Sequence, residues 1–243
     1  MLGAVASAYH RLRFRLWAAG VRLRLRRHGM KVRIDAPHGA RAYTMPKLDP
    51  VVVGKGGSFT LTIGRDCRLG RDLILTVYTA AENVISMADR VTFESWCRLE
   101  TNGGQILLGD DVQIRDFSLL KATAVLRMGR KAILGRNVII HASAGVDLHD
   151  QVGIGERSSI IDSDHIFDGS DEYYMERPLR AEPITLEYNV WVTSNVLILR
   201  GSRIGRNALV AAGSILVGGD YPAGWFIAGQ PAEPKRELPA YRG

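Results

Sequence analysis

The most constraining feature of the chain is a hydrophobic period of six. From Leu186 onward every sixth residue is aliphatic: Leu186, Val192, Ile198, Ile204, Val210 and Leu216. Four residues after each of the first five comes a small or β-branched residue: Val190, Val196, Ser202, Ala208 and Ser214. The rule also holds for Leu148, Ile154 and Ile160, for Met128, Leu134 and Ile140, and for Leu108, Ile114 and Leu120. Weaker copies begin at Ile63, Leu69, Met87 and Phe93. Such a period is neither the 3.6 of a helix nor simple strand alternation. It suits a chain that turns a corner every six residues, three sides making a triangular coil. The aliphatic residue then fills the coil and the small one lets the corner close. Coils of this kind stack by parallel strand pairing at about 4.8 Å per level, and each covers its neighbour's open edge. The starts Leu108, Met128 and Leu148 are twenty apart, which predicts two extra residues at one corner. Gly109, Gly129, Gly135, Gly155 and Gly205 follow the aliphatic position, where a tight turn calls for a permissive backbone. Cys67 and Cys97 fall on the small position and are expected as reduced core residues, and two cysteines cannot build a disulfide framework.

Before the repeat lies a different kind of sequence. The net charge of +7 is concentrated in residues 1–34, which carry eight Arg, one Lys and no acid, leaving 23 basic against 25 acidic residues elsewhere. A local anionic partner is therefore expected, not a domain shaped around nucleic acid. On a helix, Leu12, Leu16, Ala19 and Leu23 share one face, and Phe14, Trp17, Val21 and Leu25 share a second. Gly29 is the expected stop. Arginines opposing apolar residues suit a helix lying in a membrane interface, and equally a helix packed on the body or on another subunit. Nucleic-acid binding fits less well, because the interleaved residues are mostly aliphatic rather than stacking aromatics. The arm lacks the uninterrupted apolar core and cleavage site of a secretory signal, and no run of 18 apolar residues predicts a membrane span. A cytoplasmic protein, peripheral at the inner face of a membrane through residues 1–33, is the expectation. The predicted organisation is an arm over 1–34, a solenoid over 50–232 with an extruded loop at 166–183, and a tail over 233–243.

The repeat resembles the hexapeptide-repeat acyltransferases, whose fold is a left-handed parallel β-helix, over residues 50–232. The likeness is most specific in NVWVTSNVLILRGSRIGRNALVAAGSILVGGDYPAGWFIAGQPAEPKREL, and the sugar O-acetyltransferase branch is the nearest parallel. It implies an all-β solenoid, a homotrimer with sites between subunits, acetyl-CoA as acyl donor, a carbohydrate acceptor and no metal. By motif match, Trp191 precedes the donor-binding strand, and Ser194, Ala212 and Gly213 line the groove for the donor's pantetheine arm. Lys235 and Arg236 follow the closing Gly229-Gln230-Pro231-Ala232 loop and would face the nucleotide phosphates. The family's Thr-Lys pair after the glycine corner is replaced here by Leu216-Val217-Gly218-Gly219-Asp220, which removes one expected phosphate contact.

The rhythm fails between Ile160 and Leu186, in IIDSDHIFDGSDEYYMERPLRAEPIT. Solenoids extrude functional loops at such breaks. The resemblance implies that His165 takes the proton of an acceptor hydroxyl, whose oxygen attacks the thioester with no acyl-enzyme. His141 and His149 compete for this role. Asp162, Asp164 and Tyr173 are expected at the acceptor. No Asn stands in His141-Ala142-Ser143-Ala144-Gly145 to orient the base, so Ser143, Asp147, Asp162 and Asp164 stay open. Two other readings survive from sequence: N-acylation of an amino sugar nucleotide, and a non-catalytic scaffold. A zinc hydratase on the same solenoid fits poorly, because His141, His149 and His165 are spaced eight and sixteen apart, whereas related carbonic anhydrases place two ligands five apart.

Overall fold

The computed structural model describes residues 2–37 and 39–239. One helix, α1 (Leu2–Arg26), precedes a left-handed parallel β-helix with three faces. Among the described residues face 1 holds nine strands, face 2 ten and face 3 eight, and the chain visits them in turn. Every residue of the six-residue rule is inside: Leu186, Val192, Ile198, Ile204, Val210 and Leu216 are fully buried, as are the corner residues Val190, Val196, Ala208 and Ser214. Leu120, Ile140, Ile160 and Ile198 stack in register up face 3. Cys67 and Cys97 are free and buried, and burial pushes the Cys97 thiol up to about 11, so it stays protonated and packs as a small apolar group.

The glycines that follow the aliphatic position are needed for a different reason from the one expected. None of the five has a positive φ. A Cβ on Gly129 would sit 2.5 Å from the Asp150 backbone nitrogen, and one on Gly155 would sit 2.6 Å from the Thr193 carbonyl carbon. Close approach of the next coil therefore demands glycine there. The left-handed residue comes two positions later, at Asp111, Lys131, Asn137, Arg157 and Asn207.

The solenoid starts earlier than the repeat announces. Strand Lys31–Asp35 already pairs with Ser58–Ile63 on face 1, Val32 opposite Phe59. The first coils use strands of five and six residues and longer corners, which masks the period of six there. The helix stops in a turn in which the Gly29 N–H donates to the Arg26 carbonyl at 2.9 Å, with Gly29 at φ +75. At the other end Ala232–Glu237 is not a loose tail. It folds back antiparallel on Trp225–Gly229 and closes the edge of face 2.

α1 crosses the open first coil. Phe14, Ala18, Val21 and Leu25 are buried against it. The Trp17 indole donates to the Pro46 carbonyl at 2.7 Å, Arg22 to the Ile34 carbonyl and Arg24 to the Leu48 carbonyl, both at 3.0 Å.

Candidate active site

The chain leaves the solenoid at one corner between faces 3 and 1. After Ser159–Ile161 it does not cross to face 1. It runs out as Ser163–His165, pairs antiparallel with Leu179–Ala181, and re-enters at Ile184–Leu186 in register with Val146–Leu148. The Glu182 N–H donates to the Asp162 carbonyl at 2.9 Å and closes the neck. Inside the loop Arg177, nine-tenths buried, grips Asp168 at 2.5 Å, Glu172 at 3.0 Å and the Ser170 hydroxyl. The Ser170 N–H, and after it Arg177, hold the Asp168 carboxyl down at about 2, so the clasp stays charged throughout the neutral range. The His165 ring lies edge-on to Tyr174 with centroids 5.7 Å apart, and Tyr174 touches Phe167 and Tyr173. Phe167 and Tyr173 are exposed on the hairpin. His165 Nδ1 is buried and has no hydrogen-bond partner among the described residues.

Asp162 is not free to meet an acceptor, contrary to its expected role. It is fully buried, and its two oxygens accept the N–H groups of Ser143, Ala144 and Gly145 at 2.7–2.9 Å. The carboxylate is the internal template for the corner beneath the hairpin. Spacing could not reveal this, because the three donors come from the preceding coil. Asp164 pairs with Arg200, and Ser143 accepts a hydrogen bond from the Ser163 hydroxyl at 3.1 Å. Asp147 lies 3.8 Å from His149, on face 1 in register with Thr185. None of the four residues left open as an orienting group therefore meets His165 Nδ1. His141 points out of face 3 in register with Lys121, and burial first, then the Lys121 charge, lower its pKa.

The residues expected to bind the donor gather at the C-terminal end of the solenoid. Trp191, Leu209, Phe226 and Arg236 stand in register across face 2 as one outward column. Three strand spacings, about 14 Å, separate Trp191 from Arg236. Ser194, Ala212 and Gly213 lie beside this column on the corner between faces 2 and 3, where the Ser194 hydroxyl donates to Glu156 at 3.2 Å. The Arg236 guanidinium lies over the Phe226 ring at 5.3 Å, and Lys235 is paired with Glu233 at 3.0 Å. A tryptophan, an edge of small residues and an arginine along one stripe fit an extended ligand with an anionic end. Face 3 stands between this stripe and the His165 hairpin.

Sequence reasoning missed an aromatic step on the same corner, two coils before Arg157. Trp96 and Phe117 stack at 4.9 Å with planes 6° apart, and about half of each is exposed. Both occupy the left-handed corner position, where later coils use Asn137, Arg157 and Asn195. The available signal was a large aromatic residue just before the small corner residue in two successive coils.

A triangular parallel β-helix is the fold of the hexapeptide-repeat acyltransferases, which the chain resembles in sequence and fold. Among individual proteins, it is 28% identical over 130 residues to "Probable acetyltransferase Rv3034c" of Mycobacterium tuberculosis, covering 53% of this chain and 43% of the relative. A 56-residue stretch is 45% identical to the 2,3,4,5-tetrahydropyridine-2,6-dicarboxylate N-acetyltransferase of Staphylococcus aureus, covering 23% of each chain. The chain thus spans less than half the length of either relative. The crystal structure of the polySia specific acetyltransferase NeuO shares the fold, with a TM-score of 0.54 at 19% identity over 88% of this chain and 89% of that one. No protein-family model matches the chain.

Proposed function

We propose that this protein is an acyl-CoA-dependent O-acetyltransferase whose acceptor is a hydroxyl of a sugar or surface glycan. One observation carries the reading. Among the described residues the solenoid is interrupted once, and the interruption displays a histidine whose Nδ1 is buried and unpartnered while Tyr174 lies against the ring. The acetyltransferase names of the relatives support the same class.

In this reading His165 accepts the acceptor's hydroxyl proton, the oxygen attacks the thioester carbonyl, and the coenzyme thiolate leaves, with no acyl-enzyme. A histidine suits proton transfer near neutral pH. The unpartnered Nδ1 takes its orienting acceptor from substrate or from the neighbouring protomer. Acetyl-CoA lies along the Trp191–Arg236 stripe, with its phosphates toward Arg236, and Ser194, Ala212 and Gly213 border its pantetheine arm. Because the two halves face different directions in one protomer, the working unit is a homotrimer with sites between subunits. Tyr173 and the exposed Trp96–Phe117 step offer ring faces that suit the apolar side of a sugar. N-acylation of an amino sugar nucleotide is the second reading, favoured by the N-acetyltransferase likeness over 56 residues. In this reading the protein works in the cytoplasm. No helix among the described residues is long and apolar enough to cross a membrane.

The test is thiol release from acetyl-CoA across a panel of glycan and amino-sugar acceptors, with wild type and His165→Ala. The expected outcome is acceptor-dependent release that drops by ~10² or more in the variant while its melting curve is unchanged. Survival of transfer to within about tenfold removes His165 as the base. Failure of the wild type to bind acetyl-CoA in calorimetry supports a scaffold instead.

A further inference from the structure

α1 carries two apolar stripes, and the solenoid covers only one. Phe14, Ala18, Val21 and Leu25 are buried on the first coil, each at 4% exposure or less. On the opposite side Leu12, Leu16 and Leu23 are 58%, 66% and 60% exposed, and Tyr9 is exposed beside them. With Ala19 these positions are spaced three or four apart, so at 100° per residue they form one narrow stripe running along the helix. Arg15 and Arg26 flank the stripe on one side, and Arg13 and Arg27 on the other. Residues 1–34 contain no acid. The helix is anchored by Trp17 to Pro46, Arg22 to Ile34 and Arg24 to Leu48, so the outer stripe is held facing away from the solenoid's end.

An element that only caps a solenoid needs a polar outer face. This one has leucines along the middle and arginines at both margins. We infer that the outer stripe of α1 is a docking surface for an anionic lipid bilayer, the leucines entering the interface and the arginines meeting the headgroups. Charge complementarity selects this occupant: a second copy of the same stripe would bring arginine rows against arginine rows. The inference stands independently of the acetyltransferase reading. It also fixes a height. The coil bearing the His165 hairpin is five coils from the one α1 covers, roughly 24 Å at the usual strand spacing. A membrane-anchored acceptor would therefore need to present its sugar at about that distance.

The experiment is flotation of the full-length protein with phosphatidylcholine vesicles, with and without about one-quarter phosphatidylglycerol. The wild type is expected to float with the anionic vesicles only, and to be released by about 0.5 M salt. The triple variant Leu12→Glu, Leu16→Glu, Leu23→Glu is expected to cut the bound fraction by about tenfold. Its melting temperature should not change, because all three side chains are exposed. A second variant, Arg15→Gln, Arg26→Gln, Arg27→Gln, should weaken binding without touching the apolar stripe, and it stands as the test if the first does not fold. Wild type that stays at the bottom of the gradient, or variants that float as well as wild type, overturn the inference. So does a triple-Glu variant whose only change is a smaller oligomer in sedimentation, which would make the stripe an interface between copies. Binding to nucleic acid in place of vesicles would overturn it as well.

Discussion

At the scale of single residues, two neighbours in sequence have opposite roles. Asp162 is a structural anion: four hydrogen bonds from three backbone N–H groups converge on a buried carboxylate. Asp162→Ala leaves those donors unsatisfied in the interior and is expected to cost about 3 kcal/mol, read as a lower denaturant midpoint with the same slope. Three residues on, His165 has a ring nitrogen with no partner among the described residues, and on the proposed mechanism its replacement should affect rate and not stability. His141 has a third role. Its lowered pKa means that the folded state resists charging this ring more than the unfolded chain does. Stability is therefore full above the ordinary histidine range near 6.5 and declines as pH falls below it. His141→Gln should flatten that decline in melting temperatures measured from pH 7 to pH 5. The histidine at the break in the repeat stood out in the sequence. The burial of Asp162 did not, because it depends on a turn nineteen residues earlier in the chain folding underneath it.

At the scale of elements, the corners show where ordinary propensity is overruled. Left-handed backbone costs a bulky side chain roughly 1–2 kcal/mol, and asparagine or glycine escapes most of that. Trp96 and Phe117 occupy such corners while half exposed, so packing in the core does not explain them. Trp96→Asn loses a stack worth about 1 kcal/mol and relieves a strain of similar size, so the melting temperature should barely move. If the step receives the acceptor, the same variant raises the acceptor KM several-fold with kcat nearly constant, and an unchanged KM would assign the step another role. The hairpin is also an element with its own closure. Arg177→Ala removes the clasp on Asp168 and Glu172, and limited proteolysis should then cut within 166–179 at least several times faster while the solenoid stays intact. The repeat revealed that a loop would leave here. Which side chains hold it closed was unreadable, because the clasp joins residues of both signs that look alike in any polar loop.

At the scale of the whole molecule, the two halves of the proposed site lie on different edges of the prism, and the proposed homotrimer would bring them together between protomers. This gives a sharp complementation test. His165→Ala and Ser194→Trp should each be inactive alone. Co-expressed in equal amounts, they should recover about one-quarter of wild-type activity, since a site that draws its base from one chain and its donor edge from the next is intact in that fraction of random pairings. A site contained within one chain would recover nothing. The period of six was enough to determine the triangular coil, its buried positions and the place of its single break, since a local spacing repeated through the chain leaves the backbone one way to bury every aliphatic residue. Tertiary structure decided the rest: that glycine serves close approach between coils, that α1 buries one apolar stripe and presents the other, and that a carboxylate beside the break is internal. Each of these depends on which surfaces meet across distant stretches of chain, and a pattern of nearest neighbours carries no record of that.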